Sequence, residues 1–193
     1  MTLLYNIART LQRRRNSTWH ALGYDTKVRP ETATDYEAVD RLTQTAFNGN
    51  SEVQLIRTLR RYPEDCISLV AEQHGQIVGH ILFSAAHLDT ANDLPLMALA
   101  PMAVSNVLQH QGIGSALVRA GLERCKKQGA AAVVVLGHAQ YYPRFGFYPA
   151  SDAGLSCPWQ VPAENFMLLE LNTGALKAKK GQVQYHPAFD SLL

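Results

Sequence analysis

An apolar run from Leu96 to Val104, a glycine-containing turn, a helix-patterned stretch from Gly112 to Gly129 and a second apolar run from Ala131 to Leu136 follow one another directly. Two neighbouring strands joined through a crossover helix are expected to run parallel, whereas a tight turn would make them antiparallel. Ala131 to Leu136 is rich in valine and continuously apolar, as a strand buried on both faces requires. In the helical stretch Ile113, Leu117 and Ala120 together with Val118, Leu122 and Cys125 form a wide apolar stripe. Lys126 and Lys127 suit its C-terminal dipole and Gly129 its cap. Residues 96–137 thus form a βαβ unit. Pro101 lacks an N–H and predicts a bulge within the first strand.

Shorter elements flank this unit. Val28-Arg29-Pro30 predicts a first strand, and Thr34-Asp35 a helix start before Tyr36, Val39 and Leu42. After Ser51 the residues Val53, Ile56, Leu59 and Arg60 recur at helical spacing up to about Pro63. Ile67 to Glu72 and Ile77 to Ala85 flank Gln73-His74-Gly75-Gln76 as a hairpin. Phe166 to Leu171 is a further strand. The pattern is mixed α/β.

Composition limits the function classes. The chain has 193 residues and a formal net charge of +2, yet residues 1–27 hold five Lys/Arg against Asp25 alone, so residues 28–193 are slightly acidic. Such a body offers no general grip on a phosphate backbone, and nucleic acid is not the expected partner. The basic N-terminal segment, residues 1–27, leaves three readings open: a flexible extension, an organelle-targeting peptide, or an arm for nucleic acid or a membrane surface. The richest apolar stretch, residues 130–137, is far short of the ~20 residues of a membrane-spanning helix. Cys66, Cys125 and Cys157 are scattered, as are seven histidines, so no disulfide framework and no metal site is expected. A cytoplasmic protein with reduced thiols fits this composition.

The chemistry-bearing stretch is Met102-Ala103-Val104-Ser105 through Gln109-His110-Gln111-Gly112-Ile113-Gly114-Ser115, where a strand runs into a turn that opens a helix. The first turn of a helix carries unpaired N–H groups and partial positive charge, and glycines allow a diphosphate close to the backbone. From Gln-x-x-Gly-x-Gly alone, an anion site and a glycine-containing helix start that binds nothing both remain open. There is no Gly-Lys-Ser/Thr and no Gly-x-Gly-x-x-Gly after an early strand, which disfavours a nucleoside triphosphate or a dinucleotide.

Further on stands Tyr141-Tyr142-Pro143-Arg144-Phe145-Gly146-Phe147. Together the two motifs resemble the GNAT superfamily of N-acetyltransferases, whose acyl-CoA loop reads Gln/Arg-x-x-Gly-x-Gly/Ala and whose later segment reads Tyr, three residues, Gly-Phe. The resemblance covers residues 28–190. It extends to the YhbS-type bacterial branch through Ala46-Phe47, Glu52, Leu59-Arg60, Leu136-Gly137-His138 and Val183-Gln184-Tyr185-His186.

The resemblance implies a largely antiparallel sheet whose central parallel pair splays, flanked by helices, in one acetyltransferase domain over residues 28–193. It implies acetyl-CoA as co-substrate, its pyrophosphate on Gln109 to Ser115 and its pantetheine arm beside Met102, Ala103 and Val104. Tyr142 matches the family tyrosine that protonates the departing thiolate; a purely packing role with Phe145 and Phe147 is the competing reading. Tyr141 reads as a packing or substrate-wall residue, and Arg144 as solvent-facing or a contact for the CoA 3′-phosphate. An amine must be neutral to attack, so a base is expected, and Glu52 and His138 both qualify; the competing readings are a favourable N-terminal helix charge for Glu52 and a satisfied polar residue at a strand end for His138. The acceptor is a small-molecule or peptide amine. A catalytically inactive acyl-CoA sensor is the alternative function, and both a monomer and a homodimer are open.

Overall fold

The computed structural model describes residues 26–192. The expected basic extension therefore lies outside the described residues except at Thr26 and Lys27. Lys27 already belongs to the first strand, β1 (Lys27–Pro30), one residue earlier than expected.

The order continues with α1 (Tyr36–Phe47), α2 (Ser51–Leu59), β2 (Cys66–Gln73), β3 (Gln76–Leu88) and β4 (Ala91–Val104). Then come α3 (Ile113–Lys127), β5 (Ala132–Leu136), β6 (Tyr148–Pro149), β7 (Leu155–Ser156), β8 (Phe166–Glu170) and β9 (Gly181–Gln184). The sheet runs β1-β2-β3-β4-β5-β8-β6, with β9 on the far end of β3 and β7 beside β9. Neighbours on the main path are antiparallel except β4 and β5, which are parallel as the crossover through α3 demands. This is the expected mixed sheet with a central parallel pair.

Local chemistry accounts for the joints. His74 and Gly75, at φ 49° and 75°, turn β2 into β3 in the left-handed geometry that matches strand twist. In the β3–β4 ladder Ile81 faces Met102 but Phe83 faces Leu99, so Ala100 and Pro101 together stand opposite Leu82. That is the bulge expected at the proline.

Each face of the sheet has its own core. On one face Ile113, Leu117, Val118 and Cys125 of α3 pack against Leu69, Ile81, Phe83, Val133 and Val135. Burying each such aliphatic side chain contributes roughly 1.5–3 kcal/mol. The helix can approach this closely because Gly121 has no side chain: a Cβ there would lie 2.1 Å from the Phe83 ring. On the other face Val39 of α1 and Leu55, Ile56 and Leu59 of α2 cover Val70 and Leu82. A buried polar clamp fixes those two helices. Arg60 donates to Glu31 (2.6 Å) and to Asp40 (2.9 Å), and Ser68 links Glu31 to His80 through two 2.8 Å bonds. Burial, reinforced by Arg60, pushes His80 down to about 3, so it stays neutral within the clamp.

Candidate active site

The parallel pair is short. Leu96 to Leu99 face Ala132 to Val135, and beyond that point β4 continues without β5. The bulge at Ala100-Pro101 falls at this parting. Past it, Ser105 donates its N–H to Val78 on β3 (2.9 Å). Because strand groups alternate sides, Met102 and Val104 turn their N–H and C=O groups away from β3, towards the gap left by β5. Ala103, between them, turns to β3 opposite His80 and is buried. The side-chain amide of Gln109 reaches back to the Val104 carbonyl (3.4 Å) and to Asn106 (3.1 Å), which folds the turn against the strand edge.

The turn ends at Gly112, whose φ of 86° gives the backbone the left-handed step from which α3 starts. The first intrahelical bond runs from Ala116 N–H to Gly112 C=O (2.9 Å), so Ile113, Gly114 and Ser115 begin the helix with N–H groups lacking helical partners. His110, Gln111 and Gly112 are exposed, while the Ile113 side chain is anchored in the core. A Cβ on Gly112 would meet nothing within 4 Å, so the approach to this helix end is open. An extended thiol-bearing arm fits beside the unpaired edge of β4, and a diphosphate fits the amide-rich start of α3.

Tyr142 opens the short 3-10 turn Tyr142–Phe145 that follows β5. The His138 carbonyl accepts the Tyr141 N–H (3.0 Å), and Gly146 at φ 94° closes the turn onto Pro143 (3.0 Å). Gly137 makes room for the tyrosine, since a Cβ there would lie 2.4 Å from the Tyr142 ring. The ring is buried edge-on to Tyr141 (5.1 Å) and Phe147 (5.6 Å). Burial, with a smaller contribution from Tyr141, holds its phenol well above the usual range, so it remains a proton donor at neutral pH.

Glu52 lies in the first turn of α2, one turn before Leu55 and Ile56, and is only 9% exposed. No cation pairs with it among the described residues, and burial raises its carboxyl above the ordinary 4.5, partly offset by a backbone bond. The core that its helix packs on is the one Ala100 touches at the parting of β4 and β5. His138 stands just past β5 with its Nε2 buried and without a hydrogen-bond partner. Tyr142 therefore belongs to the α3 face of the sheet and Glu52 to the α1/α2 face.

Two features escaped the sequence reading. The Tyr141 hydroxyl stands 2.8 Å from the position of a Gly114 Cβ, at the very start of α3. Successive residues of a tight helical turn point in different directions, so a Tyr-Tyr pair there signals two destinations but not which. Trp159, Tyr185 and Phe189 gather at ring distances of 4.6–6.5 Å against Leu55 and Ile56. Nothing in their scattered positions announces that meeting. Among the described residues no group of three or more His, Cys, Asp or Glu side chains could hold a metal ion, and no helix is long and apolar enough to cross a membrane.

Comparison with known proteins agrees with this geometry. Residues 27–150 match the family model for an acetyltransferase (GNAT) domain. The chain is 34% identical over 164 residues to the uncharacterized N-acetyltransferase YhbS of Escherichia coli K12, covering 84% of this chain and 98% of that protein. It is 39% identical over 135 residues to the uncharacterized N-acetyltransferase YjhQ of the same strain, covering 68% and 75%. The crystal structure of Escherichia coli YhbS in complex with CoA superposes with a TM-score of 0.83 at 31% identity over 89% of this chain and 95% of that one. A GNAT acetyltransferase of Brucella melitensis in complex with acetyl-CoA gives 0.72 at 31% identity over 86% and 99%. With a domain match over more than half its length and relatives above 30% identity across most of it, the chain belongs to the GNAT family of N-acetyltransferases.

Proposed function

We propose that this chain transfers the acetyl group of acetyl-CoA directly to an amine of a small molecule or peptide, both substrates being bound at once. The observation that carries this reading is the parting of β4 from β5 after Leu99, with Met102 and Val104 facing the gap and the strand leading into the open start of α3. The complexes of YhbS with CoA and of the Brucella enzyme with acetyl-CoA support it. Acetyl-CoA brings an acyl group already activated as a thioester. The N–H groups of Met102 and Val104 hold the pantetheine arm as a strand partner would and donate to the thioester carbonyl oxygen, where negative charge develops. Gln109 to Ser115 hold the pyrophosphate.

Acid and base stand on opposite sides of the sheet. Glu52, on the α1/α2 face, takes the proton of the ammonium; its raised pKa narrows the gap to the amine, and its lack of an ion pair leaves it free to do so. His138 Nε2, buried and unpartnered, is the other group able to accept that proton. Tyr142, on the α3 face, donates its phenolic proton to the sulfur as it leaves. Attack from one face and departure on the other require no covalent link to the protein. The catalytic domain opens with β1 at Lys27, one residue before the boundary read from the sequence.

Three variants test this reading. Calorimetric titration with acetyl-CoA should show binding by the parent that is lost in Gly112→Asp, where a carboxylate would project into open space beside the pyrophosphate, and largely kept in Gly112→Asn, which imposes the same left-handed strain without the charge. Tyr142→Phe should keep that binding and lose turnover by roughly 100-fold or more. Binding that survives Gly112→Asp, or full turnover by Tyr142→Phe, would overturn the corresponding role.

A further inference from the structure

Arg119 on α3 and Arg144 in the turn after Tyr142 are separated by a full strand in sequence, yet both guanidinium groups rest on one aromatic shelf. Arg144 lies 4.7 Å from the Tyr141 ring centre and Arg119 lies 5.6 Å from that of Phe145, and the two rings are 5.4 Å apart. Both side chains are exposed. Neither meets a carboxylate among the described residues, whereas Arg29, Arg41, Arg57 and Arg60 all do. The polar contact of Arg144 is a long one, from its guanidinium to the Gln140 carbonyl (3.4 Å).

The shelf also has a fixed address. Tyr141, which carries Arg144, abuts Gly114 in the first turn of α3: a Cβ there would lie 2.8 Å from its hydroxyl. Burial raises the Tyr141 pKa, while Ser115 and the charges of Arg144 and Arg119 oppose that rise. Two exposed cations on neighbouring rings, neither of them neutralised by a carboxylate among the described residues, are open to an anion. Planar guanidinium forks suit a phosphate monoester, which offers several oxygens and carries more than one negative charge. In coenzyme A such a group, the 3′-phosphate, sits on the ribose next to the pyrophosphate.

We propose that Arg119 and Arg144 bind the 3′-phosphate of coenzyme A, so that this protein selects CoA over 3′-dephospho-CoA. The proposal rests on the reading that the pyrophosphate lies on Gln109 to Ser115, and it adds a specificity device formed by two separate segments.

The test is calorimetric titration of the full chain with CoA and with 3′-dephospho-CoA, in the parent and in an Arg119→Ala, Arg144→Ala double variant. Both positions are exposed, so the variant should keep the parent's circular dichroism and melting temperature. The parent should prefer CoA by about tenfold or more, the effect expected of charge-assisted hydrogen bonds. In the double variant the preference should vanish through weaker CoA binding, with dephospho-CoA binding unchanged. Equal affinities in the parent, or a preference that survives the double variant, overturns the proposal and leaves the pyrophosphate reading intact. Failure of the folded parent to bind either compound overturns both.

Discussion

Asp35 and Glu52 open neighbouring helices and are almost equally buried, at 6% and 9% exposed, but their surroundings push them in opposite directions. Asp35 accepts two bonds from Arg29 (2.7 and 2.9 Å) and two from Thr32, through its N–H and its hydroxyl (2.8 Å each). Those donors, Arg29 first, hold its carboxyl well below the usual carboxylate range despite the opposing effect of burial. Glu52 has no such partners, and burial raises it. Burial alone therefore does not decide whether a carboxylate is structural or chemically available. The supply of donors decides.

The sharpest way to break this contrast is Glu52→Gln. As the proposed base its loss should lower kcat/KM by roughly 100-fold or more. The melting temperature at pH 7 should hold or rise, because a buried charge without a partner has been removed. The acid limb of the kcat/KM profile should lie above pH 4.5 in the parent and disappear in the variant. Full activity in Glu52→Gln would transfer the base role to His138, where a His138→Gln variant would then carry the loss.

Asp35→Asn should show the converse. It should leave kcat/KM unchanged and cost about 2 kcal/mol by depriving Arg29 of its ionised partner. The melting temperature would then fall by roughly 4–8 °C. A loss of activity without a loss of stability would make the two carboxylates alike and end the comparison.

The smallest effect is in the pH dependence of stability. A carboxyl whose folded pKa is depressed contributes stability above its unfolded pKa and loses it as pH falls through the folded value, so the Asp35→Asn deficit should shrink in strong acid. For Glu52 the sign reverses. Its raised folded pKa makes the folded state less stable as pH climbs through and past 4.5, so any advantage of Glu52→Gln should grow over that interval and vanish below it. Chemical denaturation of the three proteins from pH 7 down into strong acid, well below pH 3, reads both slopes; parallel curves would show that the two sites differ less than their donors suggest.

Much of the fold was legible because its signals are local. The βαβ unit, the hairpin turn at His74-Gly75 and the bulge at Pro101 each follow from residues adjacent in the chain, and the structure has all three. The short strands β6, β7 and β9 went unread: two to four residues long, they exist by pairing with β8, β3 or each other, and no periodicity shows in so few residues. At the candidate site, the order of the glycines predicted an open helix start at Gly112, and the structure has one.

The sequence by itself carried the parallel crossover, through its apolar period, and the resemblance to the GNAT superfamily, through two motifs in order, because these are properties of contiguous chain. Tertiary structure alone decided where β5 leaves β4, that Met102 and Val104 face that gap while Ala103 does not, and that Tyr142 and Glu52 lie on opposite faces. It also decided that Tyr141 meets Gly114, and that Glu52 lacks the donors Asp35 enjoys. These are relations between residues distant along the chain. Their ionisation and availability depend on which atoms arrive beside them on folding, a quantity that no local pattern contains.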